Sequence, residues 1–76
     1  MNNANAALLE REYLDQLLNE NEAARMLGFT IRALQNWRVR GGGPQFVKLS
    51  KRSVRYRRRD LLEWINKHLR ANTSQV

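Results

Sequence analysis

Arg32, Gln35 and Asn36 fall between positions 32 and 36 of the segment Thr30-Ile31-Arg32-Ala33-Leu34-Gln35-Asn36-Trp37-Arg38-Val39-Arg40. Their side chains have shapes that match the edges of bases. A guanidinium offers two parallel donors to guanine, and a carboxamide offers one donor and one acceptor that pair with adenine. If the segment is a helix with Leu34 and Trp37 turned inward, these three residues point outward, with Ile31 and Ala33 beside them at the helix start. Thr30, Arg38 and Arg40 are then placed to hold phosphates rather than bases. Each residue alone is an ordinary solvent-facing helix residue. Their joint occurrence on one face carries the reading.

A second constellation follows. Lys48, Lys51, Arg52, Arg55, Arg57, Arg58 and Arg59 lie between positions 48 and 59. Alternation sets Arg55 and Arg57 opposite Val54 and Tyr56, so that one strand face packs while the other meets solvent or a polyanion. Lys48, Lys51, Arg52, Ser53, Arg55 and Arg57 form a basic wing in this reading. Its tip, Lys51 and Arg52, suits a narrow minor groove where negative potential is concentrated. Charges on a strand also protect its edge from pairing, but that needs one or two, not seven of one sign. The whole chain is polarised in the same sense. Residues 1–30 carry five acids against Arg11 and Arg25, a net of −3, whereas residues 31–76 carry twelve Lys and Arg against Asp60 and Glu63, a net of +10. Double-stranded DNA explains this asymmetry through counterion release. An anionic membrane attracts the same charge, so charge alone does not choose.

Other chemistry finds no support. The chain has no cysteine, which removes disulfides and thiolate metal sites and fits a reducing cytoplasm. His68 has no partner at ligand spacing, and Ser50, Ser53 and Asp60 form no nucleophile–base arrangement. The Gly41-Gly42-Gly43 run lacks the Lys-Ser/Thr ending of a phosphate loop and reads as a flexible connector before a strand. Trp37 and Trp64 sit on inward stripes and read as core. No enzyme, metal or cofactor is expected. No apolar run approaches the roughly 20 residues of a membrane helix, and no export signal opens the chain.

The elements that must position these residues are legible from caps and periodicity. Residues 1–5 read as a disordered tail. A helix over 6–18 carries Leu9, Tyr13 and Leu17 at i, i+4 and i+8. Asn19 with Glu22 makes a capping box for a helix over 20–27, which Gly28 closes. Thr30 caps a helix over 31–40. Two short helices joined by so tight a turn form a helix-turn-helix, and Ala24 lets them cross closely. The period then changes to two, predicting a hairpin over 45–57 with its tip at Ser50-Lys51-Arg52-Ser53. Asp60 with Glu63 predicts a second capping box and a helix over 61–70, whose core face is Leu61, Trp64, Ile65, His68 and Leu69. Residues 71–76 read as a frayed tail. The expected fold is mainly α with a small β-hairpin, a winged helix-turn-helix with an extra N-terminal helix, forming one domain over 6–70.

The runs Leu18-Asn19-Glu20-Asn21-Glu22-Ala23-Ala24-Arg25-Met26-Leu27-Gly28, Thr30 to Arg38, Gly43-Pro44-Gln45-Phe46-Val47-Lys48-Leu49 and Val54 to Ile65 together resemble the excisionase and AlpA-type proteins of phages and prophages, distant relatives of the MerR-type DNA-binding domain. The likeness spans roughly residues 17–70. It implies a winged helix with residues 30–39 as recognition helix and 50–54 as wing tip. It also implies one of two activities. Excisionases bind adjacent sites, bend DNA and recruit integrase toward excision, whereas AlpA-type members regulate transcription.

Three departures stand out. Ala33 replaces a common threonine, the wing tip lacks glycine and so reads as a longer, more mobile loop, and the segment before Leu18 is longer than the family minimum. The Leu9, Tyr13 and Leu17 stripe either caps the core or pairs with another copy. The leading expectation is therefore a sequence-specific duplex-DNA-binding excisionase of a temperate phage, acting in the bacterial cytoplasm and nucleoid-associated when bound. Its expected partners are DNA, a phage integrase, and its own copies as a homodimer or a cooperative array on DNA. The alternatives are a transcriptional regulator and, from another class, a basic protein-interaction module.

Overall fold

Local capping sets the first half of the fold. In the computed structural model, which describes residues 3–73, helix α1 (Asn3–Leu14) is followed by a short strand β1 (Leu17–Leu18) and helix α2 (Glu20–Leu27). Asn19 accepts the Glu22 amide at 2.8 Å and its own amide donates to Glu22 Oε1 at 3.0 Å, so the reciprocal capping box is formed. Gly28 closes α2 in the left-handed region, φ 74°, which costs glycine nothing. Helix α3 (Ile31–Arg40) starts two residues later, where Thr30 Oγ1 accepts the Ala33 amide at 3.1 Å.

The second half is a hairpin and a helix. Strands β2 (Val47–Ser50) and β3 (Ser53–Arg57) pair antiparallel, and helix α4 (Arg58–Thr73) follows directly. The sheet order is β1-β3-β2, with Leu17 opposite Arg57 and Leu18 opposite Tyr56. The architecture is thus mainly helical with a small sheet, a winged helix-turn-helix with a preceding helix. Among the described residues, no helix is long and apolar enough to cross a membrane.

The core is small. Leu18, Ala23, Ala24, Leu34, Tyr56 and Leu61 are buried, and Leu27, Ile31, Trp37 and Val54 pack against them. Ala23 and Ala24 lack the bulk to hold α2 off its neighbours, so α2 packs against α3, β3 and α4 together. Trp37 meets Phe29 edge-on at 5.0 Å and Trp64 at 5.1 Å. The glycine run, expected as a flexible connector, is closely packed at Gly43, while Gly41 and Gly42 are exposed at positive φ, 88° and 93°. Trp64 Nε1 donates to the Gly42 carbonyl at 3.0 Å, and a Cβ on Gly43 would stand 2.5 Å from Trp37 Cβ, closer than two carbons can approach. Pro44 beside it is buried.

Several boundaries differ from those expected. The first helix is not 6–18 but starts at Asn3, inside the expected 1–5 tail, and ends at Leu14. Leu17 and Leu18 are drawn into pairing with β3, which buries Leu18 in the core. Leu17 therefore lies outside the helix that carries Leu9 and Tyr13, and all three side chains are exposed. Helix α4 starts at Arg58 rather than 61, so Asp60 lies inside its first turn instead of capping it. Asp60 is buried and receives Arg57. Ala71, Asn72 and Thr73 continue α4 instead of fraying, while the rest of the 71–76 tail lies outside the described residues. His68 and Leu69 are exposed, not core.

The hairpin tip is tight rather than a long mobile loop. Ser50 pairs with Ser53, leaving only Lys51 and Arg52 in the turn. No described residue other than glycine has positive φ, so the turn is not of the mirror-image kind that hairpins prefer. The register slips by one between Lys48 and Ser50, and this bulge at Leu49 accommodates the mismatch in twist.

Candidate nucleic-acid interface

Arg32, Gln35 and Asn36 are exposed on α3, while Leu34 is fully buried and Trp37 half-buried on the opposite side. Helical spacing alone separates these faces. Ile31 departs from expectation: it is partly buried and packs against the core, one turn before buried Leu34. Ala33 is half-buried. Neither shares the open exposure of Arg32, Gln35 and Asn36. Thr30 is exposed, with its oxygen used as the helix cap and its hydroxyl hydrogen left to donate.

The hairpin lies beside this face. One cleft of about 350 Å³ is lined by Gln35 of α3, by Lys51, Arg52, Val54 and Arg55 of the hairpin, and by Asn19, Glu20 and Arg38. A second, of about 390 Å³, joins Gln35 and Val39 to Phe46, Lys48, Lys51 and Val54, with Arg38 shared between the two. Gln35 therefore stands where the helix and the wing meet.

The arginines divide by what they touch. Arg38 was expected on phosphate, but its guanidinium is turned inward. Nη1 donates to the hydroxyl of buried Tyr56 at 2.7 Å and Nη2 to Glu20 Oε2 at 3.2 Å. It also lies about 6 Å from the rings of Phe46 and Tyr56, 5.9 and 6.0 Å respectively. Burial works against its charge, yet the bonds to Tyr56 and Glu20 outweigh this and hold its pKa above the ordinary arginine value. Arg38 thus clamps α2, α3 and the wing together. Its guanidinium is committed to these contacts, although Arg38 also lines both clefts.

The Arg57-Arg58-Arg59 run is likewise structural. Arg57 pairs with Asp60 at 3.3 Å across the strand-to-helix junction, and that carboxylate raises the Arg57 pKa. Arg58 donates to the Tyr13 carbonyl at 2.9 Å and to Gln16 Oε1, with its guanidinium 3.9 Å from the Tyr13 ring. Arg59 pairs with Asp15 at 3.0 Å. These contacts fasten the end of α1 to the start of α4. Arg57 and Arg59 each keep part of their surface open, but all three guanidiniums are engaged within the fold.

What remains is a coherent set. Arg32 and Arg40 on α3, and Lys48, Lys51 and Arg52 on the hairpin, are exposed and enter no ion pair among the described residues. Arg55 bonds only to the neighbouring Val54 carbonyl, at 3.0 Å, and keeps its charge uncompensated. Ser53 is half-buried in the strand pair at the tip. Of the expected association stripe, Leu9 and Tyr13 are exposed on α1, with Tyr13 covered on one side by Arg58. The chemistry available is hydrogen-bond readout from α3 beside a strip of free positive charge on the wing.

Residues 17–69 match a helix-turn-helix domain family. No curated protein matches the chain.

Proposed function

The chain belongs to the helix-turn-helix domain family, and from that premise we propose that it is a sequence-specific duplex-DNA-binding protein acting as a phage excisionase. In this reading α3 enters a major groove, the tip of the wing lies along the flanking minor groove, and Arg40 with the hairpin cations grips phosphates. Copies bound at adjacent sites bend attachment-site DNA and direct an integrase toward excision. The observation that carries the DNA reading is the shared cleft. Gln35 on the helix and Lys51, Arg52 and Arg55 on the wing line one surface that carries both readers and uncompensated charge. The step to excision rests on the resemblance of the four motif runs to excisionases.

Arg52→Ala tests the wing. Its expected effect is weaker binding by a similar factor on every sequence, with the slope of log K against log[salt] flattened by about one. Unchanged slope would remove the wing tip from the interface. A duplex titration at low salt that detects no binding would instead favour a basic protein-interaction module.

A map of chromatin occupancy in the host tests the role. Binding confined to an attachment site beside an integrase gene, with excision lost when this gene is deleted, is the expected result. Promoter binding with no effect on excision assigns the chain to transcriptional control, the second reading, which uses the same surface.

A further inference from the structure

Among the described residues, Val39 is the most exposed large apolar side chain, at 88%. It lies three residues after Asn36, four after Gln35 and seven after Arg32, so it continues the outward face of α3. Nothing in the fold accounts for a valine there. A β-branched residue is a poorer helix former than alanine, and this one buries almost none of its surface. Single exposed apolar residues are common and need no explanation by themselves. Val39, however, is not isolated. It walls a cleft with Phe46 and Val54, between the recognition helix and the wing, and Gln35, Lys48 and Lys51 stand around it. Phe46 is itself 39% exposed. The surface is therefore apolar within and cationic at its rim.

On the reading that α3 occupies a major groove, the occupant of such a surface has a definite chemistry. The major-groove edges of B-DNA present hydrogen-bonding atoms and one apolar group, the C5-methyl of thymine. The lysines match the phosphates beside it. We propose that Val39 is a specificity residue that contacts a thymine methyl, next to the base addressed by Gln35 or Asn36. The carboxamides favour adenine, so the pair together selects an A·T-containing step. Neither the motif runs nor the helix caps assign Val39 any role.

The test uses the full chain and a duplex selected by it from a random pool. Each thymine in the bound site is replaced in turn by deoxyuridine, which removes the methyl and leaves base pairing intact. Wild type should lose about fourfold in affinity at one or two thymines, the value of one buried methyl group. Val39→Ala should bind the thymine site about as weakly as wild type binds the deoxyuridine site, and should not distinguish the two. Alanine is the better helix residue, so the variant keeps its fold, and its circular dichroism should match wild type. If no thymine is sensitive, or if the penalty persists in full in Val39→Ala, the assignment of Val39 is overturned while DNA binding stands. If wild type selects no duplex at all, the DNA reading on which it rests fails.

Discussion

Arg32→Ala is expected to reduce discrimination between the selected site and a site with one altered base pair by about fivefold to 150-fold, the value of 1–3 kcal/mol carried by one good two-donor contact. The reasoning starts from α3. Arg32 is exposed, joins no carboxylate among the described residues, and lies in the N-terminal half of the helix, whose residues contact base edges when such a helix docks. A phosphate contact from the same residue would weaken all sequences alike. Competition between the selected duplex and single-base variants separates the two. Preserved preference, with uniformly lower affinity, would move Arg32 from reading to grip. Stability should barely change, because the side chain has no partner in the fold to lose.

Arg38→Ala is expected to behave in the opposite way. It should lower stability by about 1–3 kcal/mol, the scale for leaving a buried polar partner unsatisfied. That corresponds to a fall in Tm of several degrees or more for a domain of this size. The loss has three parts: the hydroxyl of buried Tyr56 loses its donor, Glu20 loses its cation, and Phe46 loses the guanidinium beside it. At 19% exposure the pair with Glu20 is partly screened by solvent, so the Tyr56 bond and packing should dominate. DNA affinity should fall as well, because the wing is no longer held against α3. The slope of log K against log[salt] should stay as in wild type, since no phosphate contact is removed. A slope reduced by about one with stability intact would restore Arg38 to the phosphate-binding set. Tyr56→Phe should reproduce part of the stability loss without altering any charge.

These two arginines show how far residue type goes. Arg32 and Arg38 sit on one helix, six positions apart, with identical side chains and opposite surroundings. Their positions on the helical wheel hint at the difference, since Arg38 adjoins inward Trp37. The hint is weak because a long arginine reaches solvent from the edge of a buried face. The same holds for Arg57, Arg58 and Arg59, which in sequence continue a basic run and in space fasten α1, β3 and α4. Once they are removed from the cluster, the wing still carries Lys48, Lys51, Arg52 and Arg55, so the expected surface persists with fewer residues.

The sequence by itself determined the helix pair and its outward face. The Asn19–Glu22 box, Gly28 and Thr30 act through hydrogen bonds and backbone preferences spanning three or four residues, and that information is local. The face bearing Arg32, Gln35 and Asn36 follows from Leu34 and the 3.6-residue period. The turn to a two-residue period marked the hairpin for the same reason. Tertiary structure alone decided the rest. Leu17 and Leu18 became a strand because β3, nearly forty residues away, offered its edge, and this ended α1 early and took Leu17 out of the helix that carries Leu9 and Tyr13. Ile31 packs against the core rather than standing open beside Arg32. Above all, which arginines stay free was fixed by Glu20, Tyr56, Asp15 and Gln16, partners brought near only by folding. The charge of a side chain is written in its residue type, but its availability depends on what the fold places beside it.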